Sequence, residues 1–341
     1  MLTPVQPQPD DSPVGHEGLT GSFQPGPTPL CFLPRFSSVV GTPVYIKQDD
    51  AGPISWAGTK ARKIRRILDQ ARQAGIELLV MCGPAQSNSC RALAAGAAAA
   101  GIKVILLLRG KPPSEFVGNL KIIQSLGTEI RWAGDLDWPR LELQARQLVL
   151  DLQQSGVNAL EIPTGCSSVD GVIAILEAGA ELQAQCDALG LRPATIVHAS
   201  ASGGMHAGLA ISSVINRSPP PHSVMIVRDI YDDVEGHYAD LILRTVRQIK
   251  NNQVIRYLRT PQIDWSQLGG GYGSPTRKSE QAAQLLARTE GLLVEPVYTG
   301  KALAAVIDRA SEQPGSPIVF WHSGGIPAYF LDSGAAPIGT G

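Results

Sequence analysis

The sequence predicts an α/β protein built on two open, largely parallel sheets, and three observations carry that prediction. Short, nearly all-apolar runs such as "ELLVMCG" and "KVILLLRG" alternate with longer stretches of helical period such as "TKARKIRRILDQARQAG". These runs are apolar on both faces, as strands of a parallel sheet covered by helices on each side must be. The alternation stops at the polar, glycine-containing "EIPTGCSSVDG" and resumes beyond it, which places two α/β layers in one chain.

Each element follows in order. The opening "MLTPVQPQPDDSPVGHEGLTGSFQPGPTPL" is rich in Pro, Gly and Asp and reads as a loosely draped arm. From Pro43, "PVYIKQ" reads as a strand, and a helix follows from Thr59. Strand and helix then alternate through "ELLVMCG", "SNSCRALAAGAAAAG", "KVILLLRG", "SEFVGNLKIIQSLG", "EIRWAG" and "DWPRLELQARQLVLDLQQSG". After the break come "ATIVHAS", "GGMHAGLAISSVINRS", "SVMIVRDI", a long helical stretch near "DDVEGHYADLILRTVRQIKNN", and the closing pair "GKALAAVIDRASEQ" and "PIVFWHSGG". The chain has no internal repeat.

Composition sets the outer bounds. At 341 residues, 43% hydrophobic and 17% charged, the chain is long enough for two lobes that each bury a core. A formal net charge of -1 gives no electrostatic reason to expect nucleic acid or a membrane surface as partner. Five cysteines with no C-x-x-C spacing argue against a disulfide framework or a zinc ribbon, and point to a reducing cytoplasm and no metal. No Lys or Arg precedes Arg35 and the start has no apolar core, so it does not read as a signal peptide. The run "ALAAGAAAAGI" is too short and too alanine-rich to span a bilayer.

Ligands of open α/β sheets collect where strands end and helices begin. "GPAQSNSC" sets Gln86, Ser87 and Asn88 in a row at one such junction, although Ser and Asn are also ordinary helix caps. In "ASASGGMHAG", Gly203 and Gly204 let the backbone approach an anion at a helix N-terminus. The spacing fits neither G-x-G-x-x-G nor a P-loop, so a phosphorylated cofactor smaller than a dinucleotide is indicated; a plain turn would use the same glycines. "LGGGYGSP" and "EPVYTGKA" offer Tyr272 and Tyr298, either as wall residues or as phenols for proton transfer. "FWHSGG" ends the last strand with Ser323.

"GTKARK" places Lys60, Arg62 and Lys63 in the first turn of a helix, where the partial positive charge of the helix end disfavours cations. Two readings are open at this point. A lysine beside a phosphate cup can join pyridoxal phosphate and cease to be an ordinary ammonium. Alternatively, the helix is amphipathic with a solvated basic face.

The ordered set "GTKARK", "QSN", "SGGMHAG", "GGYGSP", "EPVYTGK" and "HSGG" resembles the 1-aminocyclopropane-1-carboxylate deaminase and D-cysteine desulfhydrase family, from about Thr42 to about Ala328. The resemblance implies pyridoxal 5'-phosphate as cofactor and the tryptophan-synthase-β-like fold (fold type II), with a larger cofactor domain and a smaller mobile one. The division expected is an arm over 1–36, a large domain over 37–65 and 168–341, and a small domain over 66–167. Lys60 matches the family's Schiff-base lysine. Asn88 would bond the cofactor's ring oxygen, and Ser87, with Gln86 and Thr299, would meet the substrate. Ser202, Gly203, Gly204, Met205 and His206 would form the phosphate cup, largely through backbone N–H groups. Tyr272 and Tyr298 match the two active-site tyrosines, and Ser323 the position facing the pyridine nitrogen.

Thr299 and Ser323 stand where deaminases of the family tend to carry glutamate and leucine, so the chain looks more like the desulfhydrase branch. Departures are Thr59 for an asparagine, Met205 for a hydroxyl residue in the cup, and "GPAQSN" for "GGxQSN". The resemblance implies α,β-elimination on a small amino acid, giving keto acid, ammonia and sulfide, by a homodimer. Rival expectations are a β-replacement synthase, a ring-opening deaminase or racemase, and a non-catalytic ligand-binding relative. Neither a G-x-S-x-G elbow nor H-E-x-x-H occurs, and His206 and His322 read as structural.

Overall fold

The computed structural model describes residues 26–52, 57–228, 230–258 and 260–330. The chain enters through strand β1 (Leu30–Phe32), helix α1 (Pro34–Val40) and strand β2 (Val44–Gln48). Residues 26–36, which composition groups with the arm, thus belong to the fold. Phe36 is fully buried, and Lys47 Nζ donates to Thr28 O at 2.7 Å. Pro34 opens α1, a position where the missing N–H has no partner to lose.

Helix α2 (Thr59–Gln73) leads to the second sheet. There β3 (Leu78–Pro84), α3 (Asn88–Ala100), β4 (Lys103–Arg109), α4 (Gly118–Ser125), β5 (Glu129–Trp132), α5 (Trp138–Gln154) and β6 (Ala159–Glu161) follow one another. The four strands are parallel in the order β5-β4-β3-β6. The interior of β3 and β4 is buried on both faces, as their unbroken apolar runs require.

The chain returns through α6 (Val169–Ala188), then β7 (Thr195–Ser200), α7 (Gly204–Ile215), β8 (Pro221–Met225), α8 (Val234–Gln248), β9 (Ile263–Asp264), α9 (Arg277–Glu290), α10 (Thr299–Glu312) and β10 (Ile318–His322). β10 inserts between β2 and β7, so the six-stranded sheet runs β1-β2-β10-β7-β8-β9. All its strands are parallel except β1, which pairs antiparallel with β2.

The 20-residue helix α6 gives no clear helical period in the sequence. It packs against α2, α7 and α8, so apolar residues point in several directions and no polar stripe marks an outer face. Helix α2, by contrast, buries Ile64, Ile67, Leu68 and Ala71 along one face. The carboxyl ends of β3 and β7 meet at one cavity, lined by Pro84 on one side and Ser200 on the other. Among the described residues no helix is long and apolar enough to cross a membrane.

Candidate active site

Lys60 is set in place by the turn that precedes it. Gly58 has φ +62°, and a Cβ there would come within 2.2 Å of the Ser323 carbonyl oxygen. Only glycine allows so close an approach of two backbones. That carbonyl accepts from Thr59 N at 3.1 Å, which ties the start of α2 to the end of β10.

The next residue fixes the turn from below. Thr59 Oγ1 donates to the buried Asp49 Oδ2 at 2.8 Å, and Trp321 Nε1 donates to the same oxygen at 3.0 Å. Arg62 reaches Asp49 through Nε and Nη2, and Glu181 through Nη1 at 2.7 Å. Burial alone would push the Asp49 carboxyl up, yet the Arg62 charge and these hydrogen bonds hold it below the usual carboxylate range. One of the three cations of "GTKARK" is therefore a neutralised anchor. Thr59, the departure from the family's asparagine, is part of that anchor.

Lys60 itself lines the cavity, with Nζ 5.6 Å from the centroid of the Tyr298 ring. Burial lowers the pKa of its ammonium; Arg91 adds to the effect, and Cys166, Glu295 and Asp49 oppose it.

The third cation, Lys63, was not singled out for a role by the sequence. It is buried, and Nζ lies 3.3 Å from both Gly165 O and Ser167 Oγ, with no carboxylate in ion-pair contact among the described residues. Burial and the Lys60 charge lower its pKa to about 7. The loop that opens α7 lies against it: a Cβ on Gly204 would stand 2.6 Å from Lys63 Nζ and 2.5 Å from Ser167 Oγ. Gly203, at φ +79°, caps α7, and a Cβ there would strike the Tyr238 ring at 2.4 Å. Ser202 Oγ meets Ser167 Oγ at 2.8 Å. Ser202, Gly203, Gly204 and Met205 all line the cavity.

The His206 side chain turns into the core. Its Nδ1 lies 2.8 Å from Ser223 Oγ, which in turn lies 3.0 Å from His198 Nε2. His198 Nδ1 is 3.1 Å from Ala199 O, which can only accept. With both imidazoles neutral the chain has one direction: His206 Nδ1–H to Ser223, and Ser223 O–H to His198. Burial holds both rings neutral, at about 4 for His206 and about 3 for His198. The imidazole of His206 is thus engaged in the core, and only its backbone belongs to the α7 N-terminus.

On the opposite wall, Ser87 caps α3 by accepting from Cys90 N at 3.1 Å, and Ser87 Oγ meets Ser89 Oγ at 2.9 Å. Ser87 and Asn88 line the cavity. Gln86 does not serve as expected: Nε2 donates to Val117 O at 3.0 Å and Oε1 accepts from Asn119 N at 2.8 Å. Its amide braces the 117–119 loop, and Asn119 Nδ2 then orients Asn88 through Oδ1 at 3.0 Å.

Tyr272 and Tyr298 meet edge to face, 6.3 Å between centroids at 88°. Burial raises the pKa of both phenols, so they stay protonated across the physiological range. Lys301, unmarked in the sequence reading, holds the Tyr272 loop by donating to Leu268 O at 2.7 Å and Gly271 O at 3.2 Å. Thr299 is a second correction. It is fully buried, and its hydroxyl donates to Glu295 Oε1 at 3.1 Å instead of facing substrate. Glu295 also accepts from the N–H groups of Val297, Tyr298 and Thr299, while burial pushes its carboxyl up to about 7. Ser323 is buried behind the Gly58–Lys60 turn and contributes its carbonyl there.

These features fit pyridoxal phosphate. A lysine amine with a lowered pKa faces the cavity, and a buried cation without a carboxylate stands beside backbone N–H groups at a helix N-terminus, as a phosphate requires. Fold and site together fit an α/β enzyme with room for a small phosphorylated cofactor beside a buried lysine. The pyridoxal-phosphate dependent enzyme family model matches residues 22–324, and the chain belongs to that family. The crystal structure of a 1-aminocyclopropane-1-carboxylate deaminase homologue is 28% identical, with a TM-score of 0.80 over 89% of this chain and 90% of that one. A threonine deaminase from T.th. is 19% identical with a TM-score of 0.64, covering 88% and 92%. A fungal L-serine ammonia-lyase from Rhizomucor miehei is 18% identical with a TM-score of 0.64, covering 88% and 94%. The last two share the fold. The cofactor is pyridoxal 5'-phosphate, and the fold is type II.

Proposed function

We propose that the protein is a lyase that removes a β-substituent from a small amino acid, in the manner of a D-cysteine desulfhydrase. The observation that carries this reading is the placement of Lys60 Nζ 5.6 Å over the Tyr298 ring, with Tyr272 edge-on to it. A base and two protonated phenols then share one wall.

When bound, the cofactor supplies the electron sink that stabilises negative charge at Cα. Lys60 Nζ, its basicity lowered by burial, takes the α-proton. Ser87 and Asn88 orient the substrate carboxylate from the α3 N-terminus. Tyr298 or Tyr272 gives its phenol proton to the departing sulfur. Lys63 and the N–H groups that open α7 hold the phosphate. The net change is D-cysteine plus water to pyruvate, ammonia and sulfide. The desulfhydrase assignment draws on Thr299 and Ser323 as branch markers. The same reading takes the enzyme as a cytoplasmic homodimer with a large domain over 37–65 and 168–341 and a small one over 66–167.

The test is to record the visible spectrum of the holoenzyme and its keto-acid production with D-cysteine, L-cysteine and 1-aminocyclopropane-1-carboxylate in turn. Pyruvate and sulfide from D-cysteine alone are expected, and Lys60→Ala should abolish turnover. Keto acid from the cyclopropane substrate alone would move the assignment to the deaminase branch. A new amino acid in place of keto acid would indicate β-replacement.

A further inference from the structure

We infer that the β-substituent of the natural substrate extends beyond the cofactor cavity into an adjoining chamber and ends in a carboxylate held by Arg109. This rests on the elimination reading above. The chamber opens between the carboxyl end of the four-stranded sheet and loops of the six-stranded one. Pro84, Trp138, Val227 and Tyr272 line both it and the cavity that contains Lys60, so the two spaces adjoin across these side chains. A free thiol ends one atom beyond Cβ, and a substituent that occupies the chamber is longer.

The walls specify its chemistry. Trp138 and Tyr272 line both spaces and suit an apolar spacer. Arg109, the last residue of β4, lines the chamber half-buried, and its guanidinium has no hydrogen-bond or ion-pair partner among the described residues. The turn after it is fixed by paired backbone bonds, Gly110 N to Gly134 O at 2.8 Å and Gly134 N to Gly110 O at 3.1 Å. The other charged groups of the wall are Lys111, Arg228, Glu115, Asp135 and Asp137, and all are exposed. Asp137 is engaged besides, accepting from Arg140 N at 2.9 Å as the cap of α5. Exposed charges are screened by water and salt, whereas a half-buried guanidinium lacking an acceptor favours a carboxylate, which it binds through two parallel N–H···O bonds. The class defined is S-(carboxyalkyl) cysteines.

Elimination on such a substrate balances without a further reactant. Lys60 takes the α-proton, and the Cβ–S bond breaks with its electron pair on sulfur, which a phenol protonates to the free thiol. The remaining three-carbon fragment takes up one water and yields pyruvate and ammonia.

The test compares S-(2-carboxyethyl)cysteine with S-propylcysteine, each as both enantiomers, for pyruvate release by the holoenzyme. A charge-assisted bond of the usual strength predicts a kcat/KM preference of about tenfold or more for the carboxylate. In Arg109→Met the ratio should fall to near one, and Arg109→Lys should restore part of it. Binding of the same pair to Lys60→Ala, read by calorimetry, reports the preference without turnover. Equal wild-type affinity for the two compounds would overturn the role of Arg109, and exclusion of both in favour of cysteine would overturn the chamber. Absence of pyruvate from every compound, with the binding preference intact, would instead sink the elimination reading and leave the Arg109 site standing.

Discussion

Thr59 and Asp49 are joined inside the protein by a 2.8 Å hydrogen bond, one residue before Lys60. Removing the hydroxyl leaves a buried carboxylate short of one donor. Thr59→Val should therefore cost about 1–3 kcal/mol in urea unfolding. Asp49 also adds a pH term. Its folded pKa lies below the unfolded value, so its contribution is fully present above the unfolded pKa and is lost as pH falls through the folded one. The acid limb of a stability–pH curve should flatten in Asp49→Asn, and an unchanged limb would remove Asp49 from the account.

Lys63 gives a slope of the same sign in a higher pH window. In the apoprotein its pKa is about 7, whereas an unfolded lysine titrates near about 10.4. Between those values the unfolded chain binds a proton that the folded chain does not, so stability should rise with pH across that window. Urea midpoints of the apoprotein measured against those of Lys63→Met from pH 7 to 10 should show the wild type gaining on the variant as pH rises, and a constant difference would remove Lys63 from the account. The same substitution should weaken pyridoxal phosphate binding by roughly tenfold to a hundredfold in a fluorescence titration.

Gly58 tests the backbone alone. A methyl at this position meets the Ser323 carbonyl oxygen at 2.2 Å, and φ is +62°. Neither atom belongs to a flexible side chain, so strain must move the start of α2. Gly58→Ala should destabilise by at least about 2 kcal/mol and should displace Lys60, read as loss of the cofactor's lysine-bound absorbance. Full retention of both would show that the turn adapts.

Lys301 acts at one remove. By holding the carbonyls of Leu268 and Gly271 it fixes the loop that carries Tyr272. Lys301→Met should lower kcat by roughly tenfold while leaving cofactor affinity unchanged, because catalytic groups misplaced by an ångström lose rate before the fold is lost. Stopped-flow turnover alongside cofactor titration separates the two.

Local chemistry was legible in the sequence where one segment carries it. The two sheets, Lys60 at a helix start, the Ser87–Asn88 cap and the glycine cup each depend on neighbours within about one turn. What escaped depends on partners far along the chain. Asp49 draws on Arg62 and Trp321, Lys63 on Ser167, and Lys301 on Leu268, none of which any local motif pairs. Gln86 and Thr299 lie in the right loops with their side chains turned elsewhere. Each has a polar side chain that a buried partner claims first, Asn119 and Glu295 respectively. Motif position gives a residue's neighbourhood, while burial decides which way its side chain turns.

The insertion of β10 between β2 and β7 also orders the birth of the protein. β2 ends at Gln48, yet the neighbour it needs begins at Ile318. On the ribosome, the four-stranded sheet, drawn from residues 78–161, can close while the rest is still being made. The early strand must wait, edge exposed, for nearly the whole chain to emerge. Lys60, which follows the Thr59–Ser323 backbone bond, is thus translated early and seated last, and no nascent chain that ends before β10 can close the turn that carries it.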